Sequence, residues 1–391
     1  MTTTTEREIS LGRPSGSPPE RFTSRNPDDF VIPRGREEEW RFTPLRAIRG
    51  FFEPFEADGV IDGENSVPSG AHVDTVTPSE VASFGSALVP ADRVSALAMQ
   101  HATRGLHIRV DAGAELSEPI VLRRVGVSGR SYTHHIVDVG ANARATLIID
   151  HAGLIQVAAN IEFVIGDGAQ LTVVAVNRAD TGSLQLSSYA ALVGRDAEYR
   201  HINIGLGGEV VRIAATVRFS APGGRAELLG VNFAGDGQHL ESRLYLDHSQ
   251  PNCTSNVLYK NALLGESART VWIGDVRIRP AATGTRTYEM NRNLLLSDGA
   301  RADSVPNLEI ETGDIAGAGH ASTTGRFDDL QLFYLQSRGI DAEEAQRLIV
   351  RGFFADVVDR IGIPDLQQQI MTAIESRLGF APADTELENL A

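Results

Sequence analysis

Through the middle of the chain, short runs rich in valine, isoleucine, leucine and aromatics alternate apolar with polar positions, as in Ala145-Thr146-Leu147-Ile148-Ile149 and Ile161-Glu162-Phe163-Val164-Ile165. That alternation predicts strands with one buried face. Glycine- and alanine-bearing turns separate the runs: Asp111-Ala112-Gly113-Ala114, Val139-Gly140-Ala141, Asp167-Gly168-Ala169, Arg195-Asp196-Ala197 and Gly223-Gly224-Arg225-Ala226. Their last alanines are 27, 28, 28 and 29 residues apart. A fixed period with the same turn chemistry predicts a parallel β-helix of about eight rungs, with a bend that needs positive φ in each copy. A β-sandwich with evenly spaced turns is the competing fold. Glu266-Ser267-Ala268 and Asp298-Gly299-Ala300 break the period, so insertions or a switch of bend are expected there.

The pattern changes at both ends. Arg34 to Leu45 is expected to hold a short helix ending before Pro44, with Trp40 and Phe42 available to pack. Punctuation by Gly, Asp and Pro predicts an irregular connector from Ala57 to Glu80, and Ala91 to Gln100 predicts a helix whose first turn Asp92 serves. Beyond the repeat, Phe327 to Ser337 predicts a helix stopped by Gly339. Asp341-Ala342-Glu343-Glu344 has capping-box layout and opens an amphipathic helix to about Ile361, and Leu366 to Leu378 forms a last one after Pro364. The expected organisation is a disordered leader over 1–20, an N-terminal helical region over 21–102, a β-helix core over 103–318 and a C-terminal helical module over 319–391. The last could cap the open end of the solenoid or dock a partner.

Composition then excludes several classes. A net charge of -15 argues against nucleic acid or an anionic membrane as the main partner. No apolar stretch is long enough to span a bilayer and the first twenty residues lack a signal-peptide core, so the default expectation is a cytoplasmic protein. Cys253 is the sole cysteine, which rules out an intrachain disulfide and any cluster ligated wholly by this chain's thiolates. Lys260 is the sole lysine and sits in Tyr259-Lys260-Asn261, so there is no Walker A loop, and it lacks the surroundings of a pyridoxal-phosphate lysine. A β-helix carbohydrate-active enzyme would need acids at a fixed phase and aromatic platforms, yet only 6% of residues are aromatic.

Three segments carry a family resemblance: Glu38-Glu39-Trp40-Arg41-Phe42-Thr43-Pro44-Leu45; Asp247-His248-Ser249-Gln250-Pro251-Asn252-Cys253-Thr254-Ser255 with Tyr259-Lys260; and His320 through Gly339, above all Gln331-Leu332-Phe333-Tyr334-Leu335-Gln336-Ser337-Arg338-Gly339-Ile340. The chain resembles the SUF-system scaffold family of iron–sulfur cluster assembly, whose branches are SufB and SufD. The resemblance implies a right-handed parallel β-helix between helical ends. It also implies a non-catalytic assembly subunit working with SufB and the SufC ATPase, SufC docking on the helical tail, and a possible homodimer when the chain is isolated. Lining up Leu294-Leu295-Leu296 and Pro306 puts a SufB cluster-building cysteine at or near Asn291, where this chain has no thiol. SufB also tends to carry glutamate after the tail histidine, where Ala321 stands. The chain therefore looks closer to SufD, although the cysteine usually found two residues before that histidine is replaced by Ala318.

The resemblance makes His320 the candidate metal ligand, holding no cluster alone but sharing a transient iron–sulfur cluster with SufB. Phe333, Tyr334, Arg338, Leu348 and Phe353 are the candidate docking contacts for SufC. Cys253 is expected to be a small buried residue. His134 and His135, on opposite faces of a strand, are assigned no role.

Overall fold

In the computed structural model, which describes residues 20–326 and 329–379, the alternating runs become strands of two nine-stranded sheets. From Gly105–Val110 to Ile315–Arg326, successive strands fall on opposite sheets, and each pairs in parallel with the strand two elements further on. This is a parallel β-solenoid of eight two-strand turns. Inward side chains such as Val139, Phe163, Val193, Phe219 and Leu246 stack between the sheets as one continuous core.

The bend is set by a residue in the left-handed region. Gly113, Asn142, Gly168, Asp196, Gly223, Asn252 and Gly284 all have φ between 50° and 81°. Asn and Asp tolerate this conformation better than other residues with a Cβ. In four of these turns a small alanine follows and its N–H bonds three residues back: Ala114 to Asp111, Ala143 to Gly140, Ala169 to Gly166 and Ala197 to Gly194. Two alanines expected to mark the repeat, Ala141 and Ala226, are thus out of phase by two residues. The positions equivalent to Ala197 are Ala143 and Gly224, because backbone conformation and not the alanine defines the phase. Ala268 and Ala300 lie at the opposite edge of the solenoid, between different strands, so the chain there follows a switch of bend.

The expected connector over 57–80 is corrected. It holds strands Val60–Ser66 and Ala71–Val76, which pair antiparallel with Ile120–Ser128 and Gly105–Val110 and close the N-terminal edges of both sheets. Their side chains are mostly exposed, so no alternation announces them. The unpaired edge of the first turn supplies the reason to be extended.

Helices cover both outer faces, as parallel sheets require. Five are named: α1 (Leu45–Ile48), α2 (Arg93–His101), α3 (Asp329–Gln336), α4 (Ala342–Val358) and α5 (Pro364–Arg377). The helix expected to stop before Pro44 instead starts after it, preceded only by a 3-10 turn at Glu38–Trp40. Trp40, Phe52 and Leu97 pack on Tyr132, Ala158 and Leu186 of one sheet. Asp92 caps α2 by accepting from the Ser95 N–H at 2.8 Å, and Asp341 caps α4 from Glu344 at 2.8 Å. Val350, Phe354, Val357, Ile370 and Ile374 of α4 and α5 lie across Val174, Ile202, Leu229 and Phe233 of the other sheet. These two helices clad a flank and do not plug the end of the solenoid.

Residues 1–19 of the expected leader lie outside the described residues, but Glu20, its last residue, is anchored by ion pairs to Arg277 at 3.1 Å and Arg279 at 2.9 Å.

Candidate functional site

The last strand, Ile315–Arg326, carries the repeat past the boundary expected at 318 and places His320 inside it. Its Gly, Ala, Ser and Thr residues give no hydrophobic alternation. Register with Thr285–Leu295 makes it a strand. Among the described residues, neither this strand nor Arg301–Ile310 has a neighbour on its outer side, so the C-terminal turn ends in two free edges.

His320 is exposed, and its ring makes no hydrogen bond among the described residues. It ends a column of paired positions that runs the length of one sheet: Leu147, Val173, His201, Leu228, Val257, Glu289, His320. Glu289, directly beneath it, is 1% exposed and neither carboxyl oxygen has a hydrogen-bond partner among the described residues. Burial, with the nearby Asp275 charge adding to it, pushes its pKa from 4.5 to about 8. Beside Glu289 the interior is polar. Asn293 Nδ2 donates to Asn291 Oδ1 at 2.9 Å, to Ser304 Oγ at 3.0 Å and to Thr324 Oγ1 at 3.0 Å, and Ser304 donates to Asn291 at 2.7 Å. Farther in, Asn232 donates to Asn261 and Asn261 to Asn293, an amide ladder from rung to rung.

Glu289 was missed in the sequence. Its strand reads Thr285, Thr287, Glu289, Asn291, Asn293 on one face and Arg286, Tyr288, Met290, Arg292 on the other, so hydrophobicity does not say which face is inside. His201, higher in the column, was missed too: it is fully buried, both ring nitrogens lack a hydrogen-bond partner among the described residues, and burial holds its pKa at about 4.

The described residues contain no cluster of three or more His, Cys, Asp or Glu side chains able to hold a metal. Asn291, at or near the position where the resemblance implied a SufB cysteine, is a buried amide held by the polar network. Cys253 is buried at the phase of Ala197, its Sγ 3.6 Å from the carbonyls of Ala221 and Pro251, with burial pushing its thiol pKa up. His134 and His135 do face apart: His134 bonds Glu162 at 2.7 Å outside the solenoid, and His135 Nδ1 accepts from the Leu106 N–H at 2.9 Å inside it.

Of the expected docking residues, Phe333 and Tyr334 on α3 are 68% and 55% exposed, with the Arg338 guanidinium 4.7 Å over the Tyr334 ring. Leu348 on α4 is 39% exposed. Phe353 instead packs partly against the clad sheet, and its carbonyl accepts from Lys260 Nζ at 2.7 Å.

Residues 123–353 match the family described as SUF system FeS cluster assembly, SufBD core domain. An iron–sulfur cluster assembly SufBD family protein of Mycobacterium leprae is 48% identical over 366 residues, covering 91% of this chain and 93% of the relative. One from Mycobacterium tuberculosis is 48% identical over 368 residues, 92% of each chain. The iron–sulfur cluster assembly protein SufD of Escherichia coli is 27% identical over 390 residues, 89% of each. Solenoid, matched core and relatives aligned over nearly the whole chain agree: this chain belongs to the SufBD family of iron–sulfur cluster assembly proteins.

Proposed function

We propose that the chain is the SufD-type subunit of a scaffold built with SufB and the SufC ATPase, acting by assembly and not by turnover of its own. The observation that carries this reading is His320, an accessible imidazole on the free terminal turn of the solenoid, where the described residues form no group of three or more metal-ligating side chains. Iron takes several ligands, so the remaining ones come from a partner docked on the same edge. There the nascent cluster is cargo, held in transit between two chains. The amide of Asn291 at or near the position of a SufB cysteine, and Ala321 after the histidine, favour the SufD branch over the SufB branch. The exposed Phe333, Tyr334, Arg338 and Leu348 offer SufC an aromatic and arginine-bearing surface of the kind that dominates protein interfaces. When SufB is absent, the same free edges can pair two copies of this chain.

Co-expression with SufB and SufC of the same source, followed by native mass analysis and iron and sulfide determination, tests the proposal. The wild-type chain is expected in a ternary complex. His320→Ala should assemble equally well but lose most of the iron and sulfide, and Tyr334→Ala with Phe333→Ala should weaken SufC retention at least about tenfold. Failure to associate with either partner would overturn the scaffold reading. Full cluster loading in His320→Ala would remove the histidine from it.

A further inference from the structure

At the opposite end of the solenoid from His320, the space between the two sheets opens into a cavity of about 400 Å3. Its origin is in the packing. Phe163, Tyr189, Tyr199 and Phe219 fill the space between the sheets in the middle turns, whereas the apolar core of the first turns is built from smaller aliphatic residues such as Leu122, Val137 and Ile149. Those aliphatic side chains make the floor, and Arg124, His135 and His151 project among the lining residues from the sheet ends.

The charge of the lining is opposite to that of the molecule. The chain has 51 acidic and 36 basic side chains, yet no Asp or Glu lines this cavity and two arginines do. Arg124 is half-buried and makes no ion pair among the described residues; its guanidinium donates to the carbonyls of Arg123 at 2.6 Å and Glu64 at 3.2 Å and to Asn65 Oδ1 at 2.7 Å. A desolvated guanidinium without a carboxylate is an uncompensated charge that a bound anion would satisfy. The histidines add neutral hydrogen-bonding groups, since burial holds His135 at about 3 and His151 at about 4. His135 already uses Nδ1 as an acceptor, which leaves the proton on Nε2 as a donor, and the His151 ring has no hydrogen-bond partner among the described residues.

We propose that this cavity binds a small amphipathic anion, an apolar body ending in one carboxylate, with the body between the sheets and the carboxylate on Arg124. The volume is in the range of small-molecule sites, and an apolar pocket with a few convergent polar groups is their usual chemistry. The site is independent of the cluster chemistry proposed for His320.

Calorimetric titration of the full-length chain with octanoate and with 2-naphthoate, each beside its uncharged counterpart 1-octanol or 2-naphthol, tests it. At least one acid should bind at one site per chain, and its alcohol at least about tenfold more weakly, as loss of a charge-assisted contact requires. Preference for octanoate would point to a flexible acyl ligand, preference for 2-naphthoate to a planar one. In Arg124→Gln the acid–alcohol difference should vanish, and in Ala159→Phe, which fills the cavity from its wall, binding should be lost. The proposal is overturned if neither acid saturates the protein below about 1 mM, or if acid and alcohol bind the wild type equally. That comparison needs no variant, so it decides the matter even if a substituted chain does not fold.

Discussion

Glu289 shows how one residue can be costly and still belong to the fold. A carboxyl with pKa raised to about 8 against an ordinary 4.5 keeps its proton in the folded chain over a range where the unfolded chain releases it. Stability therefore falls as pH rises from about 4.5 to about 8 and levels off above that. Glu289→Gln should remove this slope and be the more stable protein at pH 8, by on the order of 3 kcal/mol, with little difference near pH 4.5. Urea unfolding of both proteins at the two pH values measures it, and a gap that does not change with pH would show that Glu289 is not protonated in the fold. Gly230 is the opposite case, a residue whose absence of side chain is the point. A Cβ there would fall on the ring of Tyr259 on the next rung, which is fully buried. Gly230→Ala is expected to cost about 1–3 kcal/mol through overpacking, read from the shift of the denaturation midpoint. The alanine markers illustrate the limit of such reasoning from sequence: Ala169 and Ala197 carry the phase of the turn, while Ala141 and Ala226, equally plausible by spacing, do not.

Between elements, buried polar contacts join the helices to the solenoid. Arg212 on strand Val210–Phe219 is buried among Glu39, Asp92 at 3.1 Å and Glu241 at 3.2 Å, with its guanidinium 4.1 Å from the Trp40 ring, and Thr43 donates to Glu241 at 2.8 Å. The family segment around Trp40 is thereby explained as the clasp of the N-terminal region. Burial alone would raise the Glu241 pKa, but the His239 hydrogen bond and the Arg212 charge outweigh it and hold it at about 2. On the other sheet, Lys260 reaches α4, with Nζ 2.6 Å from Asp356 and 2.7 Å from the Phe353 carbonyl. Asp356 is half exposed, which screens the ion pair, so the bond to the carbonyl is the larger part. Lys260→Met should loosen α4 and α5 by about 1–2 kcal/mol without unfolding the solenoid. Hydrogen exchange would locate the effect: faster exchange confined to 342–377 is expected, and unchanged exchange there would mean that apolar packing alone holds the helices. The sole lysine thus has a structural task, which its strand setting suggested only by excluding other roles.

For the whole molecule, the arrangement of cladding and free edges decides what can be removed. Because α4 and α5 cover Val174, Ile202 and Leu229, a chain ending before residue 327 would bare an apolar sheet face. It is expected to aggregate, beyond any loss of the proposed SufC contact, so light scattering of the truncated chain should rise where that of Tyr334→Ala does not. A soluble, monodisperse truncated chain would contradict the packing described here. The solenoid and its approximate number of turns were legible in the sequence, because a repeated strand and a repeated left-handed bend leave a period that no tertiary contact is needed to see. Helix caps at Asp92 and Asp341 were legible too, since capping is local chemistry. What the helices cover was not. The tail could as well have capped the end of the solenoid as clad its flank, and only the apolar outer face of the sheet chose between them. The strands at Val60–Ser66 and Ala71–Val76 were hidden because their extended form comes from an edge far along the chain. His320 was singled out as a candidate through its motif, while Glu289 beneath it, the polar network and the basic-lined cavity became visible only when parallel register stacked residues about thirty positions apart. A sequence records which residues recur; which of them share an interior is decided by the pairing of the strands.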